Sequence, residues 1–201
     1  MNVIVKHEKL FQGICMITGQ VLVFASTFFW NDNGRYTVDG AVMIIVAMVF
    51  WIIGFTGLFD LLKEKSPWYA LLGLWYAVYG CVGGIAFGFE GLYSAIFDIS
   101  DKIGVAAYER FPLQMNIVLF WAGPAFPLTL MILGIMLIIR KIGNKWINIL
   151  FTLGGIAFPV SRISRIEWIA VVADILLLIP VVVISIQFMK GRTLNEKKHQ
   201  L

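Results

Sequence analysis

Six long apolar runs constrain the fold of this chain more than any other feature. A helix needs about 20 apolar residues to cross the hydrocarbon core of a bilayer. Hydrophobic residues make up 60% of the chain and charged residues 14%, whereas soluble domains carry about 25% charged residues. The sequence therefore predicts an all-α integral membrane protein, a single transmembrane domain over 1–201. Its six spans are predicted at about 10–30, 41–62, 68–92, 114–139, 146–163 and 166–189.

The fifth run is the shortest, and its course is open. Pro159 and Arg162 interrupt it close to the sixth run. Non-helical backbone is tolerated within a membrane only where protein or water covers it. A re-entrant hairpin formed with the sixth run is therefore an alternative to a complete fifth span.

The longest connection joins the third and fourth runs. Ile96, Ile99 and Ile103 recur at helical spacing, charged residues occupy other faces, and Pro112 ends the pattern. The pattern predicts a short amphipathic helix on the outer membrane interface. A simple connector and a lid over an outward-facing cavity are its two possible roles.

Basic residues predict the orientation. Of the 16 Lys and Arg residues, 11 fall on the side that carries both termini, and short loops rich in these residues stay in the cytoplasm. Both termini are therefore predicted to be cytoplasmic, with 190–201 as a polar cytoplasmic tail. The net charge of +4 comes from clusters that flank apolar runs, so the expected partner is the lipid bilayer and not nucleic acid.

Glycines mark one face of the third span. Gly80, Gly84 and Gly88 recur every four residues, and small residues let membrane helices approach closely. This face predicts either a central place in the bundle or a contact between copies of the chain in a homo-oligomer.

Asp174 is the strongest candidate for a functional residue. It lies about eight residues into the sixth span, roughly 12 Å along the helix axis, where a carboxylate must be protonated or paired with a cation. The nearest cations are Arg162 and Arg165, and Glu167 lies on the same helical face. A functional site and a structural ion pair are both open interpretations.

Glu90 is the second candidate. The same five residues, GGIAF, occur at 83–87 and 154–158, in spans three and five. Equal depth for the two copies would place Glu90 level with Arg162 and allow the two to pair. Asp174 and Glu90 are the candidate general acids or bases. The predicted ligand-binding set is Glu90, Arg162, Arg165, Glu167, Asp174, Trp75, Tyr79 and Trp121. For the aromatic members, packing in the core is the alternative.

Several kinds of chemistry lack their residues in this sequence. The two histidines, His7 and His199, fall in the tails, and no lysine lies within a predicted span. Phosphate-binding, nucleophile-elbow and zinc-protease motifs are also missing from the sequence. We expect no metal site and no cofactor.

Three functions fit these observations. The leading hypothesis is a protein that binds or transports a small charged or amphipathic molecule in an outward-facing polar cavity, with proton coupling as an option. A membrane enzyme that acts on a lipid or isoprenoid-like substrate is the first alternative, and a structural or sensory subunit is the second.

Overall fold

Long helices make up most of the structure. The computed structural model describes residues 3–99 and 101–190, and within them the backbone forms no β-strand. The helices are α1 (Val3–Thr27), α2 (Val38–Asp60), α3 (Pro67–Phe97), α4 (Asp101–Arg110), α5 (Pro112–Met115), α6 (Ala122–Ile139), α7 (Lys145–Ser164) and α8 (Glu167–Met189). A π-helical segment, Asn116–Phe120, joins α5 to α6.

Six helices are long and apolar enough to cross a membrane, and the fourth of them runs from Pro112 to Ile139 through α5, the π-helical segment and α6. This confirms the predicted all-α bundle of six membrane helices. Two helices are longer than predicted, since α1 begins at Val3 and α3 continues to Phe97. Most of the predicted polar tail, from residue 191 onward, lies outside the described residues.

The six spans form a closed ring. Each packs against its neighbours in sequence, in the order α1, α2, α3, α6, α7 and α8, and α8 packs back onto α1. We call the end that carries Val3, Met189 and the connections 61–66 and 140–144 the terminal end. The opposite end, with the connections 28–37, 98–111 and 165–166, is the distal end.

Aromatic rings fill the ring centre toward the terminal end. Trp51 and Phe55 of α2 contact Phe126 of α6, with ring centroids 5.6 and 5.9 Å apart. Phe126 also contacts Phe158 of α7 at 5.6 Å. We call Trp51, Phe55 and Phe126 the aromatic plug. All three are buried, so the plug closes the middle of the ring.

The glycines of α3 lie inside the ring. A Cβ atom on Gly80 would fall 2.4 Å from the backbone nitrogen of Phe126 in α6. Gly84 and Gly88 face Met48 and Ile45 of α2 in the same way. Close approach of α3 to two neighbours therefore depends on these glycines. The face is covered by the same chain, and homo-oligomerisation stays a prediction.

The fifth span is one continuous helix. Asn144 caps α7 by accepting a hydrogen bond from the Trp146 amide at 2.9 Å, and Arg165 ends it in a left-handed conformation with φ 54°. Pro159 lies inside the helix without breaking it. With 20 residues α7 is about 30 Å long, so a re-entrant hairpin is not what the chain forms.

The connection between spans three and four contains α4, at Asp101–Arg110. Tyr108 of α4 packs edge-on against Phe120 of the π-helical segment. A helix therefore does form in this connection, and its position on the membrane interface stays a prediction.

Candidate functional site

An ion pair joins the fifth and sixth spans near the distal end. Nη2 of Arg162 lies 3.0 Å from both carboxylate oxygens of Asp174. The Asp174 side chain is 0% exposed, while that of Arg162 is 16% exposed. The pair thus has a buried acidic side and a basic side that reaches open space.

The first helix and the loop after it complete the surroundings of this pair. Thr27 donates a hydrogen bond to Oδ2 of Asp174 at 2.7 Å. The Arg162 guanidinium lies over the rings of Phe158 and Trp30, at 4.5 and 5.2 Å from their centroids. Three helices and one loop therefore surround the ion pair.

Local turn chemistry positions Trp30. The side chain of Asn31 accepts hydrogen bonds from the amides of Asn33 and Arg35, both at 3.0 Å. Gly34 has φ 68°, and a Cβ atom there would fall 2.6 Å from the carbonyl oxygen of Arg165. Only glycine fits this position without strain. The loop can thus lie against the α7–α8 turn and bring Trp30 onto Arg162.

Arg162 keeps donor capacity beyond its carboxylate partner. Arginine has five N–H donors, and here Nη2 alone contacts both oxygens of Asp174. Nη1 makes one long hydrogen bond of 3.3 Å to Ser161, and the guanidinium also shares a side-chain hydrogen bond with Tyr36. Nε is buried and has no partner among the described residues, so a ligand with acceptor oxygens would meet the exposed part of the guanidinium and not Nε.

A cavity of about 1270 Å³ lies next to this pair, between α2, α3, α6, α7 and the loop 28–37. Met48, Phe126 and Phe158 line its apolar part, which ends at the aromatic plug. Arg162 lies in its wall, and Asp174 lies behind Arg162, outside the lining. The lining residues with charge or polarity nearer the distal end include Asn33, Arg35, Glu90, Ser94, Asp98 and Arg165.

Glu90 lines the cavity at a different height from Arg162. Along α6, Gly83 faces Ala122 and Gly155 faces Met131, so the two GGIAF copies are offset by about two and a half turns. By this register Glu90 lies roughly 13 Å closer to the distal end than Arg162, at 1.5 Å rise per residue. The pair expected from equal depth does not form, and Arg162 pairs with Asp174 instead.

The surroundings of Glu90 lie nearer the distal end. Ser94 donates a hydrogen bond to its Oε1 at 3.2 Å. Burial of Tyr108, together with the charge of Glu90 and a hydrogen bond to it, raises the pKa of Tyr108 to about 12, and the charge of Arg35 opposes this. Tyr108 therefore stays protonated beside a carboxylate at neutral pH.

The other predicted site residues lie apart from the cavity. Glu167 is exposed on the outer side of α8, beside Trp168. Trp75 and Trp121 are 78% and 56% exposed on the outer surface of the bundle. The Tyr79 hydroxyl donates to the carbonyl of Ile117 in the π-helical segment. The structure thus brings together Glu90, Arg162 and Arg165 at the cavity, with Asp174 behind them. It does not bring the aromatic candidates there.

Sequence reasoning missed Thr27, Trp30 and Tyr36. Trp30 is of the residue type expected of a membrane-interface anchor, and Thr27 is a small polar residue at a helix end, so neither stands out in the sequence as a site residue. Tyr36 lies beside the Arg162 guanidinium, and its backbone forms an isolated antiparallel β-bridge with Trp30. The only signal in the sequence is that a buried Asp174 needs donors besides one arginine.

Among the described residues, no group of three or more His, Cys, Asp or Glu side chains could hold a metal ion. Comparison with protein families, curated proteins and solved structures finds no match to this chain. Its six long apolar helices make the chain an integral multi-pass membrane protein.

Proposed function

We propose that this protein binds a small amphipathic molecule in the distal cavity, with an anionic or acceptor-rich head group toward Arg162. The observation that carries the proposal is the held guanidinium in the cavity wall, which uses one nitrogen for Asp174 and stays 16% exposed. Guanidinium groups favour carboxylate and phosphate oxygens because their planar donors match these acceptors.

The apolar part of the ligand would contact the lining nearer the plug. Met48, Phe126 and Phe158 supply thioether and ring surfaces there. Asp174 balances the charge of Arg162, so the site offers directed donors without a large net charge. This arrangement favours recognition by charge-assisted hydrogen bonds from the guanidinium.

We propose in addition that the cavity opens to the outside of the cell or organelle. Lys and Arg are concentrated on the terminal side, including Lys63, Lys65, Arg140 and Lys141 in the two connections there. By the positive-inside rule, this distribution of basic residues supports an orientation with both termini in the cytoplasm. A ligand would then enter from the non-cytoplasmic side.

Transport would be an extension of binding, because the aromatic plug separates the cavity from the terminal end. Pro124, Pro127 and Pro159 line the cavity on α6 and α7. Prolines are the usual positions at which helices bend, so these two helices are the ones best suited to open the plug.

A thermal-unfolding series tests the proposal. Purified protein in a nonionic detergent is heated with octyl sulfate, octyl phosphate, octanol or octylamine, each below its micelle concentration. A ligand that binds the native state alone raises the unfolding temperature. We expect octyl sulfate and octyl phosphate to raise it, and octanol and octylamine to leave it unchanged.

The matched variants locate the site. Arg162→Met with Asp174→Leu replaces the ion pair by apolar groups of similar size, a change that buried pairs often tolerate. We expect this double variant to fold and to lose the response to octyl sulfate. Arg165→Gln removes another cation that lines the cavity, and this variant should keep the response to octyl sulfate. Equal responses of the double variant and the wild type would overturn the proposal.

A further inference from the structure

A row of buried polar side chains continues from Asp174 toward the terminal end, along the contacts of α1 with α2 and α8. Gln20 is 0% exposed, and its Nε2 faces the backbone carbonyl of Asp174 at 3.5 Å. Ser185 of α8, also 0% exposed, donates to the sulfur of Met16 at 3.4 Å. Gln12, 5% exposed, donates to Thr56 of α2 at 2.9 Å.

The spacing makes these groups a single row. Gln12, Met16 and Gln20 are four residues apart, so they share one face of α1 at intervals of about 6 Å. Gln12 lies beside Gly57, and a Cβ atom at Gly57 would also contact Phe188 near the end of α8. The row therefore reaches from the ion pair to within about one turn of the terminal end.

Several atoms in or beside this row have no hydrogen-bond partner among residues 3–99 and 101–190. They are Oε1 of Gln12, Oε1 of Gln20 and Nε1 of Trp51, and all three are buried. Trp51 packs against Gly19, next to Gln20 in sequence. Buried polar atoms are almost always hydrogen-bonded, and internal water is the usual partner when protein groups are not. The row thus contains the buried polar groups that line a path of internal water.

We propose that this row conducts protons between Asp174 and the terminal side of the membrane, so that ligand binding at Arg162 is coupled to protonation of Asp174. This coupling rests on the proposed binding function. An anionic head group that takes over donors of Arg162 weakens the ion pair. A proton from terminal-side water then passes along water hydrogen-bonded to Gln12, Ser185 and Gln20, and forms an O–H bond on the Asp174 carboxylate.

Within the part of the chain that the structure describes, few groups face Asp174. Arg162 faces it from α7, and Thr27 and Gln20 face it from α1. Tyr36, from the loop 28–37, faces the guanidinium. Of these, Arg162 alone carries a positive charge, so withdrawal of Arg162 leaves the carboxylate with hydroxyl and amide neighbours. A buried carboxylate in such a setting takes up a proton.

Proton uptake on ligand binding tests the coupling. Protein in lipid nanodiscs, in weakly buffered solution with a pH-sensitive dye, is mixed rapidly with octyl sulfate, which stays anionic and carries no proton itself. We expect uptake of about one proton per protein, by linkage. Asp174→Asn should abolish the uptake.

The pathway is tested by the rate of the same uptake. In Gln20→Leu the uptake should slow about tenfold or more, because a proton moves only between groups within hydrogen-bond reach or one water apart. The affinity for octyl sulfate should stay unchanged. Cys15→Val, a buried substitution on α1 outside the row, is the matched control and should keep the wild-type rate.

The outcomes separate the two proposals. Octyl sulfate binding without proton uptake overturns the coupling and leaves the binding function standing. Uptake at the wild-type rate in Gln20→Leu, together with a lower unfolding temperature, assigns the row to helix packing, the ordinary role of polar side chains between membrane helices.

A second measurement needs no ligand. In Arg162→Gln, the infrared carbonyl band of protonated Asp174 reports how fast Asp174 gains its proton after a jump to lower pH. If the row conducts protons, adding Gln20→Leu to this variant should slow the appearance of the band. An unchanged rate overturns the pathway even if octyl sulfate does not bind.

Discussion

The distal and terminal halves of the ring centre are built from the same helices and differ in what those helices place there. In the distal half, small or ring-closed residues such as Gly84, Gly123 and Pro159 line a cavity of about 1270 Å³. In the terminal half, Trp51 and Phe55 fill the space between α2 and α6. Side-chain volume at ring-facing positions therefore decides whether the ring is open or closed.

The charged groups follow the same division. Arg162 lies in the wall of the open half, whereas the terminal half of the centre is lined by aromatic and aliphatic side chains. Charge within a membrane protein is costly unless it is paired or reaches a polar cavity, and Arg162 meets both conditions. The open half is thus the part of the molecule in which a fixed charge can serve recognition.

The largest expected effect comes from breaking the ion pair in the distal half. Arg162→Ala leaves the fully buried Asp174 without its cation and should lower the free energy of unfolding by about 3–5 kcal/mol. Denaturation of the purified protein in detergent measures this. The double variant Arg162→Met with Asp174→Leu is the control and should recover most of the loss. A single variant as stable as the wild type would show that the pair contributes little.

Removing the plug should have the next largest effect. Phe126→Ala deletes a ring that contacts Trp51, Phe55 and Phe158 and should cost about 3 kcal/mol, near the low end for such changes because Phe126 borders a cavity. The same change should let small thiol reagents applied from the distal side reach a cysteine placed at Phe55. In the protein with Phe126 intact, that cysteine should stay unreactive.

Close helix contact beside the plug should respond more moderately. In Gly80→Ala the new Cβ would fall 2.4 Å from backbone of α6, so the helices must separate, at a cost of about 2 kcal/mol. Gly91→Ala is the matched control on the same helix in the distal half, where the new Cβ would meet Tyr36 at a comfortable 3.6 Å. Equal unfolding temperatures for the two variants would contradict the assigned packing of α3.

The smallest effect concerns alkaline pH at the distal end. The pKa of Tyr108 is raised to about 12, so the folded protein holds this proton more tightly than the unfolded chain, whose tyrosine pKa is near 10. The contribution of Tyr108 to stability is complete below pH 10 and decreases as pH rises toward 12. Ultraviolet titration of the wild type and of Tyr108→Phe should differ by one late-titrating tyrosine, and stability should become less pH-dependent in that range in the variant.

The sequence predicts the spans well because each is a local property. About 20 apolar residues bounded by charge are visible without any tertiary contact. That Asp174 must be protonated or paired with a cation also follows from its depth alone. These predictions depend on hydrophobicity and helix rise, which neighbouring helices do not alter.

Contacts between helices could not be predicted in the same way. Trp75 and Trp121 face outward because of how α3 and the fourth span are rotated about their axes. The sequence does not show this rotation, since apolar residues occur on every face of both helices. The height of Glu90 depends on the register of α3 and α7 against α6, which close glycine contacts decide. Thr27 reaches Asp174 only because the first span packs against the last, over a sequence separation of 147 residues.

The closed ring has a consequence for how the protein is made. Of the six spans described, the one that carries Thr27 leaves the ribosome first and the one that carries Asp174 leaves it last, and the two residues meet where α8 packs against α1. A nascent chain without α8 would leave Arg162 in the membrane with no carboxylate. Neutralisation of that arginine therefore waits for the insertion of α8, and a copy in which α8 has not yet inserted carries one unpaired charge.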